Sequence, residues 1–153
     1  MRTIRTATSV DAPADTVWGV LTDFERYPEW NPFLVSVETR LVAGAPVAMR
    51  VRLGGRELAL DARMLAVAPG REFRWAGPIA RWKGVVFRGE HFFGVEPGGP
   101  ASCRFLHGED FGGVSLPLLG GWMQRTLVPA YHAMNQALAR RAAGLAADRR
   151  TGR

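Results

Sequence analysis

The chain has little of the chemistry on which many protein classes depend. Its 153 residues include one cysteine, which excludes an internal disulfide framework and a cysteine-rich zinc site. The longest apolar stretch, residues 114–123, is too short and too often interrupted by Gly and Pro to span a bilayer. Residues 1–10 lack the apolar core of a signal peptide. We therefore expect a soluble protein, cytoplasmic by default, with no stable membrane insertion.

Several functional motifs are also missing. The chain has no phosphate-binding loop and no dinucleotide fingerprint, so we expect no nucleotide cofactor and no other cofactor. Ser115 follows Gly113, but no Gly stands at 117, so the hydrolase elbow is absent. The net charge is +6, but the last six residues carry three Arg and one Asp, which leaves +4 for the rest. So modest a charge does not indicate a nucleic-acid partner.

Hydrophobic periodicity indicates a strand, a short helix and then a series of strands. Residues 3–10 alternate as a strand does, and Pro13 suits the first position of the amphipathic helix that follows. Prolines at 28 and 32 end this helix and allow only a turn or a second short helix. From residue 33 the period changes to two, and Gly/Pro signals separate six predicted strands: Phe33–Val42, Val47–Leu53, Glu57–Val67, Arg71–Ala76, Val85–Glu96 and Ala101–Phe111.

The last part of the chain returns to helical spacing. Apolar residues from Leu116 to Leu138 repeat every three or four positions, which predicts one long helix. Pro129 lies within it and is expected to kink or restart the helix. The pattern predicts a helix end from Arg140 onward. We expect a single domain over residues 1–147 and a basic disordered tail over residues 148–153.

Alternation in the strands predicts an antiparallel sheet with one solvated and one apolar face. The apolar face needs a cover, and the last helix is the only long one available. The inward aromatic side chains exceed what one helix can cover, so we expect an apolar ligand-binding cavity between them. The residues expected to line it are Trp30, Phe33, Phe73, Trp75, Phe87, His91, Phe93, Phe105, His107, Glu109, Phe111 and Met134.

Three polar residues share this apolar face. His107 and Glu109 are two positions apart on one strand, and His91 has the same phase on the preceding strand. Burial would raise the pKa of the carboxyl and lower that of the imidazoles, toward values suited to acid/base work. The three are therefore candidate catalytic residues, ligand-orienting anchors, or a satisfied polar cluster. Two His and a carboxylate also occur in metal triads, but no supporting partners are evident, so we predict no metal.

Two segments and the last helix resemble a known superfamily. The run Ala12-Pro-Ala-Asp-Thr-Val-Trp-Gly-Val-Leu-Thr-Asp-Phe-Glu-Arg-Tyr-Pro-Glu-Trp-Asn-Pro-Phe resembles the opening of START-like SRPBCC proteins, in their polyketide cyclase/dehydrase and lipid-transport branch. Phe105-Leu-His-Gly-Glu-Asp-Phe-Gly-Gly resembles the last strand of that group, and the helix containing Met134-Asn135 also matches. The likeness covers roughly residues 3 to 145.

This resemblance implies an α+β helix-grip fold. In it, a seven-stranded antiparallel sheet wraps around a long C-terminal helix, with two short helices after the first strand. The superfamily includes lipid carriers, aromatic-polyketide cyclases and hydrolases, so fold alone does not settle function.

Three functional interpretations remain open. We expect binding of a hydrophobic small molecule such as a lipid or a polyketide-like aromatic in an internal cavity, a role compatible with transport. The alternative is a polyketide cyclase or dehydratase that uses the cavity His and Glu as acid and base. A third class is an interaction module that uses the fold without a ligand. The sequence gives no indication of the oligomeric state.

Overall fold

The chain forms one strand, two short helices, six further strands and one long helix. The computed structural model describes residues 2–77, 88–112 and 116–152, with the backbone alone for residues 116–120 and 123. Its elements are β1 (Arg2–Val10), α1 (Ala14–Thr22), a 3₁₀ turn (Phe24–Arg26), α2 (Tyr27–Trp30), β2 (Leu34–Glu38), β3 (Pro46–Leu53), β4 (Arg56–Ala68), β5 (Glu72–Gly77), β6 (Arg88–Gly99), β7 (Ser102–Gly112) and α3 (Leu116–Thr151).

The seven strands form one antiparallel sheet in the order β1-β7-β6-β5-β4-β3-β2. Strands β2 to β7 follow one another as a meander, and β1 adds to the free edge of β7. Helix α3 packs across the apolar face and contacts β1, β7 and β3. This is the helix-grip arrangement that the resemblance implied, and it confirms the predicted fold class.

The faces of the sheet follow the predicted alternation. On β3, Val47 and Val51 are buried, whereas Arg50 and Arg52 are exposed and both pair with Glu57 of β4. From the helix, Met134 and Leu138 are fully buried in the core, as the helical stripe predicted. A one-residue slip would have reversed every side chain, so the register is firmly set by the apolar face.

The turn between β3 and β4 depends on glycine. Gly54 and Gly55 have φ angles of 55° and 78°, a backbone conformation that L side chains rarely adopt. A two-residue hairpin with positive φ at both positions matches the twist of the strands it joins. The predicted Gly-Gly hairpin is therefore present.

Strand β2 is shorter than predicted. The amide oxygen Oδ1 of Asn31 accepts hydrogen bonds from the backbone N–H of Phe33 (3.0 Å) and of Leu34 (2.9 Å), which holds the chain in a turn before the strand begins. After Glu38 the chain turns again, with Gly44 at a φ of 86°. The alternating residues between 39 and 42 therefore belong to a loop rather than to the strand.

Helix α3 continues beyond its predicted end. It passes through Pro129 without restarting, and it includes residues 148–151, which the sequence pattern placed in a disordered tail. Ala142 and Ala146 are buried, and Arg149 donates a 3.2 Å hydrogen bond to Thr16 of α1. These contacts give the last turns a packed face, which explains why the helix persists. Among the described helices, none is long and apolar enough to cross a membrane.

Candidate functional site

A cavity of about 170 Å³ lies between the β3–β7 part of the sheet and helix α3. Aliphatic side chains of β3 and β4, among them Met49, Val51 and Leu60, form one wall, and Leu127 faces them from α3. Leu58 and Trp122 also border the cavity and are 47% and 46% exposed, so they mark its mouth. A concave apolar site with few polar groups is the usual form of a small-molecule site.

Five of the twelve predicted lining residues border this cavity. They are Phe33, Trp75, His91, Glu109 and Phe111. Five others are fully buried outside its wall: Phe73, Phe93, Phe105, His107 and Met134. Trp30 is half-buried and packs on Tyr27, with ring centroids 5.1 Å apart. Phe87 lies outside the described residues.

Helix α1 explains why several predicted rings do not reach the cavity. Trp18 of α1 and Phe24 of the 3₁₀ turn lie edge-on to Phe73, with centroids 6.0 and 5.8 Å away. Phe73 in turn stacks on Phe93 at 4.8 Å. The aromatic side chains at this end of the sheet are therefore core, because the short helices cover them.

Sequence reasoning omitted the aliphatic wall and one tyrosine from the expected site. Met49 and Val51 had the correct phase on the apolar face, and Leu127 lay in the helical stripe. Tyr131 follows Leu127 by four residues on α3, so the helical period was the available signal. Periodicity places these positions on the apolar faces but does not distinguish which of them border a cavity.

The predicted polar cluster forms on the apolar face. His91 of β6 lies directly opposite Glu109 of β7 in the sheet register, and Phe93 lies opposite His107. The rings of His91, Phe93 and His107 form a compact, nearly parallel group: the centroid of His91 is 4.5 Å from that of Phe93 and 4.8 Å from that of His107, and the last two are 5.0 Å apart. His91 Nδ1 lies 3.5 Å from Glu109 Oε2. This geometry confirms the alternation that placed the three polar side chains together.

Glu109 is held as an unusually weak acid. Its burial raises the pKa of the carboxyl to about 7, and the nearby charge of Asp110 adds to the rise. The hydroxyl of Tyr131 donates a hydrogen bond to Glu109 Oε2, which partly opposes the increase. The carboxyl therefore exists in both the acid and the ionised form near neutral pH.

Both buried histidines are neutral near pH 7. Burial lowers the pKa of His107 to about 4, and burial together with the neighbouring His107 holds the pKa of His91 well below its usual range. The two rings are joined by a 2.6 Å contact between their Nε2 atoms. The other ring nitrogen of His107, Nδ1, lies 2.7 Å from Oδ1 of Asn135 on α3.

The cluster does not have the arrangement of a metal triad. Both nitrogens of His107 are engaged, one by His91 and one by Asn135, so neither is free to face an ion shared with Glu109. Within residues 2–77, 88–112 and 116–152, no group of three His, Cys, Asp or Glu side chains could hold a metal ion.

Gly89 provides the space that the Glu109 carboxylate occupies. A Cβ at Gly89 would overlap Glu109 Oε1, the far end of a flexible side chain, so alanine there should displace the carboxylate without moving the backbone. Because displacement relieves burial, we expect Gly89→Ala to lower the titration midpoint of Glu109 by about one pH unit or more. Carboxyl ¹³C NMR across a pH series measures this midpoint.

Gly112 offers a matched control on the neighbouring strand. Among the described residues, no atom lies within 4 Å of a Cβ built at Gly112. Gly112→Ala should therefore leave the midpoint of Glu109 unchanged. An unchanged midpoint in Gly89→Ala would contradict the packing of the carboxylate against residue 89.

The fold and the cavity together define a helix-grip protein with an internal, largely apolar site and one polar end. The chain belongs to the polyketide cyclase/dehydrase and lipid transport family, whose model matches residues 1–143. No curated protein matches the chain significantly.

Solved structures with the same fold include proteins of different activities. A START superfamily protein from Mycobacterium smegmatis has a TM-score of 0.73 at 21% identity, over 94% of this chain and 98% of that one. The Zhui aromatase/cyclase from Streptomyces sp. R1128 has a TM-score of 0.72 at 19% identity, over 92% and 93%. Norcoclaurine synthase from Thalictrum flavum has a TM-score of 0.70 at 15% identity, over 92% and 93%. At such identities the similarity shows the fold alone.

Proposed function

We propose that this protein binds a hydrophobic small molecule, such as a lipid or a polyketide-like aromatic, in the cavity between its sheet and helix α3. The observation that carries the proposal is the composition of the wall, which is aliphatic and aromatic nearly everywhere; its polar members are His91 and Glu109, which adjoin each other, and the exposed Asp61. Removing apolar ligand surface from water would supply the affinity. The polar end would fix the ligand's orientation.

The cavity size constrains how much of a ligand it encloses. A dry cavity of about 150 Å³ accommodates a molecule the size of benzene. The present cavity, at about 170 Å³, would therefore enclose one ring or a short alkyl segment. Any longer ligand would extend past Leu58 and Trp122 at the mouth, whose exposed apolar surfaces suit that contact.

The polar end favours a ligand atom that accepts a hydrogen bond. In its acid form Glu109 has a proton to donate, and Tyr131 already donates to the same carboxyl group. A carbonyl or hydroxyl oxygen next to Glu109 would satisfy that proton. A ligand carboxylate would be disfavoured, because two carboxylates in one buried site repel each other.

Titration with an environment-sensitive apolar dye tests the binding function. We expect N-phenylnaphthylamine to gain emission in a saturable manner with about one site per chain. Native mass spectrometry of the purified protein would show whether a small molecule co-purifies. An absence of saturable binding by the folded protein would contradict the proposal.

Glu109→Gln separates an anchoring role from a catalytic one. Gln keeps the shape of the side chain and its ability to form hydrogen bonds but cannot exchange a proton. Under the binding function we expect the dissociation constant for N-phenylnaphthylamine to change by less than about tenfold, or about 1.4 kcal/mol. Fluorescence titration of both proteins gives this ratio. A larger loss would mean that the ionisable carboxyl itself is needed for binding.

One observation favours a second function, a cyclase or dehydratase. A carboxyl with a pKa of about 7 lies beside a neutral imidazole in the wall of the cavity, and a group balanced near the operating pH is efficient in proton transfer. Glu109 could then remove a proton from a carbon next to a ligand carbonyl. In a turnover assay on such a ligand, Glu109→Gln would lower the rate by about 10²–10⁴-fold while binding persists.

A further inference from the structure

A series of neighbouring polar side chains connects Glu109 to helix α3 and strand β1. It runs from Glu109 through His91 and His107 to Asn135, and ends at Thr6 on β1. Both histidines and Asn135 are buried, and Thr6 is 9% exposed. Hydrogen bonds join His91, His107, Asn135 and Thr6, and because each of them needs one donor and one acceptor, their direction can be followed from Thr6 to His91.

The donor and acceptor roles in this series are set first at Thr6. Its hydroxyl donates to the carbonyl oxygen of His107 at 2.8 Å, which leaves the hydroxyl oxygen free to accept. The Nδ2 group of Asn135 lies 2.8 Å from that oxygen and 3.3 Å from the hydroxyl of Thr8. Nδ2 is the donor end of the amide, so Oδ1 of Asn135 must face His107 as an acceptor.

The tautomers of the two imidazole rings then follow from the orientation of the Asn135 amide. His107 donates from Nδ1 to Oδ1 of Asn135, and as a neutral ring it has only a lone pair at Nε2. His91 must therefore donate from its own Nε2 across the 2.6 Å contact. As a second neutral ring, His91 is left with a lone pair at Nδ1, the atom that lies 3.5 Å from Glu109 Oε2.

We propose that Asn135 is a positioning residue for Glu109, because it fixes the tautomers of both histidines so that His91 presents an unprotonated Nδ1 to the carboxyl group. A lone pair 3.5 Å from Oε2 favours the acid form of Glu109 over the ionised form, whose negative charge would face the electron-rich nitrogen. Asn135 touches neither the cavity nor Glu109. It acts only through the rings between them.

The other groups around Glu109 do not substitute for this effect. Tyr131 faces it from α3, Asp110 neighbours it on β7, and the exposed Asp61 of β4 borders the same cavity. In the described part of the chain, none of these is a cation that would hold Glu109 ionised. Near the histidines, His132 of α3 is exposed and lowers the pKa of His107 further.

Nitrogen-15 NMR of histidine-labelled protein tests the tautomers directly. The chain has three histidines, of which His132 is exposed, and correlation of each ring with its own backbone signals distinguishes the buried His91 from the buried His107. At neutral pH we expect His107 to carry its proton on Nδ1 and His91 to carry its proton on Nε2. The reverse assignment in the wild-type protein would overturn the proposal without any variant.

Asn135→Leu tests the effect on Glu109. Without the amide oxygen, a proton on Nδ1 of His107 would be a buried donor with no acceptor, so the pair should reverse and place the Nδ1 proton of His91 toward Glu109. We expect the ¹⁵N spectrum to show that reversal and the titration midpoint of Glu109 to fall by about one pH unit or more. A packing defect alone would change neither tautomer.

Thr8→Val is the matched control. It removes the weaker 3.3 Å bond to the same amide but leaves the bond between Asn135 and His107 in place. Both tautomers and the Glu109 midpoint should remain as in the wild type. A reversal in Thr8→Val, or a folded Asn135→Leu protein with an unchanged midpoint, would contradict the proposal.

These measurements need no ligand, so they stand apart from the proposed function. If the tautomers are as expected but the dye does not bind, the binding function fails and the role of Asn135 remains. If the dye binds but the tautomers are reversed, the role of Asn135 fails and the binding function remains. The significance of the acid form for a ligand rests on the proposed function.

Discussion

Replacing Leu60 by tryptophan is expected to abolish binding in the cavity. Leu60 lies in the aliphatic wall on β4, is partly exposed, and faces a space of about 170 Å³ that an indole ring would largely occupy. We expect the affinity for N-phenylnaphthylamine to fall by about 100-fold or more, which corresponds to about 2.7 kcal/mol. Because Leu60 is not fully buried, the larger ring has room to enter without forcing the core apart.

Leu65→Trp is the control for this prediction. Leu65 lies on the same strand and is 39% exposed, but it does not border the cavity. The same substitution there should leave the affinity within about twofold of the wild type, well under 1 kcal/mol. Equal losses in the two variants would mean that the dye binds elsewhere.

Glu109→Gln is expected to change how stability depends on pH. Burial raises the pKa of Glu109 from 4.5 to about 7, so the folded protein binds this proton more tightly than the unfolded chain does. The stability that this proton contributes is fully present below the unfolded pKa of 4.5 and is lost as pH rises through about 7. Gln does not titrate, so the variant does not undergo the loss of stability that Glu109 causes in the wild type as the pH rises.

Urea unfolding at several pH values measures the difference. Between about pH 4.5 and about pH 7.5, the free energy of unfolding of Glu109→Gln should rise relative to the wild type by up to about 3 kcal/mol. The lowered pKa values of the two buried histidines act in the opposite direction, since their contribution is lost as pH falls below 6.5. They are present in both proteins and largely cancel in the comparison. Parallel pH profiles would contradict a buried, weakly acidic Glu109.

The sequence predicts the fold well because its signals are local and repeated. Alternation on β3 and β7, the Gly54-Gly55 hairpin and the helical stripe through Met134 each follow from short-range chemistry, and the structure confirms them. The prediction fails at segment ends. Asn31 delays β2 through its side chain, and α3 persists past Arg140 because it packs on α1, a contact invisible to periodicity.

From the sequence, the site could be predicted only to the extent of which face of the sheet carries it. Alternation places His91, His107 and Glu109 together, and it places Phe73 and Phe93 there equally well. Which of them border a cavity depends on where Trp18 and Phe24 pack, and those contacts are tertiary. The link from His107 to Asn135 joins a strand to a helix 28 residues later, so no spacing rule could find it.

Intermolecular nuclear Overhauser effects between the protein and bound N-phenylnaphthylamine test the central claim most directly. The account predicts contacts from the dye protons to the methyl groups of Met49 and Val51 in one wall of the cavity and of Leu127, which faces them from α3. It predicts none to Leu145, which is exposed on α3 and does not border the cavity. Contacts confined to exposed residues such as Leu145, with none to the methyl groups of Met49, Val51 and Leu127, would show that the cavity is not the binding site.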